Sequence, residues 1–379
     1  MRLAYYYDLA LPFQAAAPLQ ILKTASQIAA QGVAVDVLVR HLDEPPQAVL
    51  AHYGVAASPG FRLLAAGRPK DAAAKLTPYD VVMSRGEAGV RLFRAFGGSR
   101  PPFIYEAHRR CRPDRGRLPS LPIIAGRRMA AMERAAVEGC DGLVCVSGGI
   151  RDELQRVFAV KAPLLVLPSG TELPDCGPYV HDDVRHDIDL IYVGKFEERK
   201  GLDVALAALR LMPEVSMTLV GGEPEQVRRA RARAGPSGRQ LTLTGYVHPP
   251  EVKAYLGRAR VGICPLPTGV SAVSERFTSP MKLLELMSHG VPAIASDVPS
   301  VRELIADAPE PPVMLVPPND PAALASAVRR ILSDGELAAR LSSAGLGYVK
   351  RFGWAERARR LAAFAADVLH AAHRPEANS

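Results

Sequence analysis

The chain has 379 residues, enough for two domains with ample cores, and its 48 % hydrophobic and 23 % charged composition is globular, neither disordered nor fibrous. A formal net charge of +8 and a pI near 9.3 favour anionic ligands or an anionic membrane surface, but the charge is too diffuse to imply nucleic acid. Five cysteines (Cys111, Cys140, Cys145, Cys176, Cys264) form no CxxC pair and are odd in number, so they read as reduced thiols in a cytosolic protein.

The opening MRLAYYYDLALPF holds too short an apolar run for a signal peptide. No stretch approaches about 18 uninterrupted apolar residues, the length of a membrane-crossing helix. Any membrane contact is therefore expected to be peripheral, from the cytoplasmic side.

In chain order, apolar runs predict strands at 3–7, 33–39, 80–84, 102–107, 142–147 and 163–169. A second series falls at 189–194, 216–222, 241–246, 261–267, 292–297 and 313–318. Helical periodicity fills most gaps, at 18–31, 126–138, 148–157, 201–211, 250–258, 280–288, 321–333 and 335–346. Such alternation predicts an α/β fold with parallel sheets covered by helices. Twelve strands exceed one tidy open sheet, and the polar stretch 172–188, with two prolines, is the natural break. The expected domains are 1–175 and 186–352, two Rossmann-like halves facing across a cleft, with helix 355–372 packing on either half. Ligands of such sheets bind at the carboxyl ends of the strands.

Four stretches there carry chemistry. VGKFEERKGLD (193–203) ends a strand at Gly194, then sets Lys195 and Lys200 before Gly201 and a helix. Two lysines beside a helix N-terminus can hold a diphosphate; the plain alternative is a solvated loop, since Glu197 and Glu198 lie among them. SPMKLLELMSHG (279–290) starts a helix at Ser279-Pro280 and stops at Gly290. Thr278, Lys282, Glu285 and His289 are expected to form one polar stripe on it, facing a cleft or forming only a surface Lys-Glu pair. Lys282 sits where the helix dipole is positive, so it wants an anion nearby. FIYEAHRR (103–110) ends a strand at His108, suited to hydrogen bonding or proton work, or else simply structural. RRCRPDRGR (109–117), with five arginines in nine residues, is either a solvated loop or a clamp for an anionic acceptor or headgroup through Arg109, Arg110 and Arg112. RRARAR (228–233) reads as an exposed helix face.

No GxGxxG follows the first strand, and GxxxxGK[ST], GxSxG and HExxH are missing. The one DxD-like triplet, Asp187-Ile188-Asp189, precedes a strand, whereas a metal-nucleotide site would want it at a strand end.

Taken together, Gly194-Lys195, Lys200-Gly201, LVGG (219–222), TGYV (244–247), SPMKLLELMSHGVPAIASD (279–297) and VRELI (301–305) resemble a retaining glycosyltransferase of the GT-B type, family 4. The first half agrees more loosely, through APLQILKTASQIAAQGVAVDVL (17–38), His108, MERAAVEGCDGLVCVSGGIRDEL (132–154) and PSGTELP (168–174). FGWAERARRLAAF (352–364) resembles the family's closing helix, which crosses back onto the N-terminal domain. The resemblance implies an N-terminal acceptor domain and a C-terminal donor domain. It implies metal-independent transfer of a sugar from a nucleotide diphosphate sugar, UDP- or GDP-linked, to a hydroxyl acceptor in polysaccharide, glycolipid or glycoside assembly. Carried over by position, Lys195 and Lys200 bind the diphosphate and serve catalysis. Glu285 takes the ribose hydroxyls, Tyr246 and Val247 flank the base, His108 sits by the donor sugar, and Gly194, Ser279 and Lys282 complete the donor site. Three features depart from the family: Phe277 stands where its first acid is usual, two residues from Glu275, Pro280 replaces a glycine, and Phe13-Gln14-Ala15-Ala16-Ala17 occupies the place of the usual glycine pair in the first N-terminal loop. A phosphorylase or epimerase on the same fold, or a donor-binding but inactive partner subunit, remains an open alternative. An NAD-linked oxidoreductase suffers from the missing glycine fingerprint.

Overall fold

The computed structural model describes residues 1–98, 100–111, 123–181 and 183–373. The chain divides into two compact units, Met1–Pro168 with Trp354–Ser379, and Ser169–Gly353.

The first unit is built on a seven-stranded parallel sheet in the order β3-β2-β1-β4-β5-β6-β7. Its strands are β1 (Arg2–Leu11), β2 (Ala34–Leu42), β3 (Phe61–Ala65), β4 (Val81–Arg85), β5 (Phe103–Ala107), β6 (Gly142–Cys145) and β7 (Leu164–Val166). The central strands read as near-continuous apolar runs because helices cover both faces. β1 pairs with both β2 and β4, so the strand order reverses between β1 and β4. The helix Trp354–Ala372 belongs to this unit: Ala358, Leu361, Ala365 and Val368 join the core of β1, β2 and helix Ala16–Ala30. It crosses β6 so closely that a Cβ on Gly142 would lie 2.8 Å from Val368 Cγ2.

The second unit holds a six-stranded parallel sheet in the order β10-β9-β8-β11-β12-β13. The strands are β8 (Ile188–Val193), β9 (Met217–Val220), β10 (Leu241–Gly245), β11 (Ala259–Cys264), β12 (Ala293–Ser296) and β13 (Met314–Val316). Here the order reverses between β8 and β11. Helix Met281–Ser288 lies against β11, where a Cβ on Gly262 would come within 2.2 Å of Leu286 Cδ2. This contact fixes which face of the helix is buried, and Lys282, one turn before Leu286, lies close to that face.

The boundary at Pro168/Ser169 precedes the 172–188 break read from composition. Hydrogen bonds explain why: Ser169 N–H donates to Ser279 Oγ at 3.0 Å and Thr171 Oγ1 to Ser288 Oγ at 3.3 Å, so both residues already belong to the second unit. β3 was not anticipated, nor were the helices Pro46–His52, Pro69–Leu76, Gly86–Phe96 and Pro299–Leu304. β3 is only FRLLA, closed by glycines, with Arg62 turned out to Asp36 on β2. The residues before these helices are Pro45, Arg68, Arg85 and Val298, so the Ser/Thr/Asp/Asn signal of a helix start is missing from the sequence. The DxD-like triplet is consumed in ties across the sheet start: Asp187 pairs with Arg258 at 2.6 Å and Asp189 with Arg260 at 3.1 Å.

Candidate functional site

In the second unit Gly194, Lys195, Lys200, Lys282 and Glu285 lie at or near the carboxyl end of β8, beside the point where strand order reverses, whereas Tyr246 and Val247 follow β10. Gly194 follows β8 with φ of 129°, and its N–H is used in the sheet, donating to the Val220 carbonyl at 2.9 Å. Gly194 therefore supplies space, not a donor: a Cβ there would sit 3.7 Å from Lys282 Cε. The loop after it is held by Tyr192, whose buried hydroxyl donates to the carbonyls of Lys195 at 2.9 Å and Lys200 at 3.3 Å. Gly201 closes the loop at φ of 78°, and a Cβ there would lie 1.6 Å from the Pro265 carbonyl oxygen. Only glycine fits, so the loop enters helix Leu202–Arg210 in one way.

Lys282, second residue of its helix, lays Nζ over the Tyr192 ring, 3.8 Å from the centroid. The residue is half-buried, but Nζ is closed off from solvent and meets no hydrogen-bond acceptor among the described residues. The side chains of Lys195, Lys200 and Glu285 are likewise without a hydrogen bond or ion pair to any described residue. Burial, with Lys282 and Arg199 adding repulsion, lowers the Lys200 ammonium to about 8; burial also lowers Lys282 to about 8, against the pull of Cys264 and Glu285. Burial pushes the Glu285 carboxyl up to about 7, opposed by Lys282. Unpaired charge at such a place costs free energy that a ligand of complementary charge would recover.

The polar stripe is shorter than its spacing suggested. Thr278 and Ser279 lie before the helix, which begins at Met281 behind Pro280 with no side-chain cap. Ser279 Oγ accepts the Ser169 N–H and is buried. His289 folds back as a helix end, Nδ1 donating to the Glu285 carbonyl at 2.9 Å. Lys282 and Glu285 remain. Just upstream, Val273–Phe277 form a π-helical turn, where Glu275 accepts the Gly269 N–H at 3.4 Å and pairs with Arg276. Tyr246, half-buried, meets the His248 ring edge-on at 5.3 Å, and Val247 packs on the core of helix Met281–Ser288.

In the first unit His108 ends up in a buried polar cluster. Glu106, 1 % exposed on β5, accepts the Tyr5 hydroxyl, His108 Nε2–H at 3.0 Å and Arg357 Nη2 at 2.7 Å. Arg357 comes from the C-terminal helix and also donates to Thr24 Oγ1 and to the carbonyls of Leu167 and Pro168. Burial alone would raise the Glu106 carboxyl, but His108, Arg357 and Arg85 outweigh it and hold the group well below the usual range. Burial and Arg85 lower the His108 imidazole to about 4 against the pull of Glu106. At neutral pH the ring is neutral, with Nε2–H fixed on Glu106 and Nδ1 left as an acceptor. Sequence reading passed over Glu106 and Arg357. A lone acid inside the otherwise apolar FIYEA was the available signal, since a charge in a doubly covered strand needs a partner.

Of the arginines expected to meet an acceptor, Arg109 is exposed. Arg110 is engaged: it pairs with buried Glu133 at 3.1 Å and with Glu153 at 3.2 Å, over the Phe158 ring. Arg112 lies outside the described residues. Among the described residues no group of three His, Cys, Asp or Glu side chains is placed to hold a metal ion, and no helix is long and apolar enough to cross a membrane.

Residues 20–173 match the family model described as Glycosyltransferase Family 4, and residues 187–334 match Glycosyl transferases group 1. The alpha-maltose-1-phosphate synthase of Mycolicibacterium smegmatis is 27 % identical over 256 residues, 59 % of this chain and 62 % of that protein. The match thus spans under two thirds of that relative. Among solved structures, a sucrose-phosphate synthase from Thermosynechococcus elongatus superposes with a TM-score of 0.75 at 20 % identity, covering 98 % of this chain and 99 % of the other. Anabaena HepE in complex with UDP-glucose superposes with a TM-score of 0.71 at 14 % identity, over 98 % and 100 %. At such identities the likeness establishes the fold, two Rossmann-like parallel-sheet domains of the GT-B type.

Proposed function

This chain belongs to the family 4, group 1 glycosyltransferases, and on that premise we propose that it moves a hexosyl residue from a nucleotide diphosphate sugar to a hydroxyl acceptor, with retention and without a metal ion. The observation that carries the proposal is the cluster at the end of β8: three lysines and a glutamate, none paired, around a loop entering a helix N-terminus. In this reading Lys195, Lys200 and Lys282 neutralise the diphosphate in the ground state. They stabilise more strongly the charge that grows on it as the glycosidic bond breaks. The N-terminus of helix Leu202–Arg210 adds to that field. Glu285 accepts the ribose hydroxyls, Tyr246 and Val247 flank the base, Gly194 makes room, and Ser279 steadies the segment before the helix. His108 accepts a hydrogen bond from a hydroxyl of the donor sugar through Nδ1. The leaving phosphate takes the acceptor proton, so no separate protein base is required. UDP is the leading nucleotide, because the fold is shared with a protein described in complex with UDP-glucose.

The second unit accordingly serves the donor and the first the acceptor. Arg109 is the described arginine left free for an acidic acceptor or a membrane headgroup, which would make the chain a cytoplasmic enzyme with peripheral membrane contact. Free cysteines throughout the described residues agree with that compartment. The test is acceptor-dependent release of UDP or GDP from a panel of nucleotide sugars, with the product anomer read by NMR. Retained configuration is expected. Nucleotide binding without turnover across the acceptor panel would instead favour the inactive-partner reading.

A further inference from the structure

We propose that Arg85 marks an anion-binding subsite in the first unit, one that takes the phosphate or carboxylate group of a small charged carbohydrate. Arg85 is the last residue of β4, at its carboxyl end and next to β1, where the strand order of this sheet reverses. Open parallel sheets bind their ligands at that crevice. Arg85 is half-buried, its Nη1 is closed off from solvent, and its side chain makes no hydrogen bond or ion pair with a described residue. Three other arginines on or beside this sheet are paired: Arg40 meets Asp8, Arg62 meets Asp36 and Arg100 meets Asp141.

The acid opposite it in register, Glu106, is already taken. Tyr5 donates to its Oε2, while His108 and Arg357 donate to Oε1. With His108 neutral, Arg85 and Arg357 face a single carboxylate, and one positive charge is left over. A guanidinium nitrogen closed off from water without an acceptor is costly unless something outside the chain supplies one. Helix Gly86–Phe96 starts at this residue with no side-chain cap, which adds positive potential at the same strand end. The one acid of its first turn, Glu87, is exposed and turned to Arg91 at 3.5 Å. Phosphate and carboxylate both match the fork of the guanidinium.

The inference leans on the transferase reading only in calling this ligand the acceptor. The test titrates the full chain with glucose 6-phosphate, glucuronate and neutral glucose by calorimetry, for wild type, Arg85→Gln and Arg85→Lys, with UDP and GDP titrated in parallel. One of the two anions is expected to bind saturably where glucose does not, and which one binds separates phosphate from carboxylate. Arg85→Gln should weaken that binding at least tenfold and Arg85→Lys less, with nucleotide affinity kept within twofold. The ligand-free melting temperature of Arg85→Gln should hold, because the side-chain charge removed is unpaired and Glu106 keeps its donors Tyr5, His108 and Arg357. The subsite is refuted if neither anion outbinds glucose, if Arg85→Gln binds as wild type, or if that variant melts several degrees lower, which would make Arg85 a structural counter-ion of Glu106. Absence of both UDP and GDP binding in wild type would sink the transferase reading and leave this subsite standing.

Discussion

Around Glu106 in the first unit, both carboxylate oxygens have donors from three elements, whereas at the end of β8 in the second unit three ammonium groups and a carboxyl have none. Both places bury charge, and the difference lies in who completes it. The first is closed by the chain itself and ties the C-terminal helix to the strand that carries His108. The second is left open, as a site for an anionic ligand has to be. Buried charge is thus informative only after its partners have been accounted for.

Removing a partner from the closed cluster should produce the largest effect. Arg357→Ala leaves Glu106 buried with less compensation, and we expect a loss of about 3–5 kcal/mol in urea denaturation of the full chain. A loss below about 1 kcal/mol would show that the cluster is not the tie described here.

Next come the open lysines. Lys195→Ala and Lys200→Ala should each weaken UDP or GDP binding by about 10–100-fold, the worth of a charge-assisted contact of roughly 1.5–3 kcal/mol, while thermal stability stays level or rises. Lys282→Met sharpens the contrast because its two effects have opposite signs. The ligand-free protein should gain roughly 1–2 kcal/mol, since an unpaired buried ammonium is replaced by an apolar chain, and nucleotide affinity should fall. Destabilisation by Lys282→Met would mean that its stacking on Tyr192 is structural.

The smallest effect is in the pH dependence. Lys200 and Lys282 titrate near 8 in the ligand-free fold against 10.5 unperturbed, so between those values the unfolded chain binds more protons and stability rises with pH. Glu285, raised to about 7 from 4.5, has the opposite sign: the folded state holds the extra proton, and its contribution falls as pH rises from 4.5 to 7. A diphosphate restores the lysine charge. Nucleotide binding above pH 8 should therefore take up protons, measurable by calorimetry in buffers of different ionisation enthalpy, and affinity should weaken as pH climbs further. Proton-neutral binding at pH 9 would contradict the buried-lysine picture.

How legible all this was in the sequence depended on how local the physics is. The loop after β8 could be read because Gly194, Lys195, Lys200 and Gly201 fall within eight residues, and the turn needs glycine for a steric reason confined to a few residues. Helix Met281–Ser288 was found to within a residue at its start, since apolar periodicity and Gly290 mark it. Its polar stripe was overread: Pro280 delays the helix, and His289 turns back on the Glu285 carbonyl. β3 and the Pro-led helices escaped because they are short and no Ser, Thr, Asp or Asn stands at the helix N-caps. Arg357 and Glu106 stand 251 residues apart, so neither spacing nor periodicity could pair them. Arg110 looked like a clamp only while Glu133 and Glu153 were invisible beside it.

The central claim is that the unpaired lysines at the end of β8 await a nucleoside diphosphate. It is tested most directly by titrating UDP and GDP into the wild type and a Lys195→Ala/Lys200→Ala variant by calorimetry, with circular dichroism to confirm that both are folded. The account predicts saturable binding of one nucleotide to the wild type and a loss of at least a hundredfold in the variant. Equal binding by the two proteins, or no binding of either nucleotide to the wild type, would contradict it.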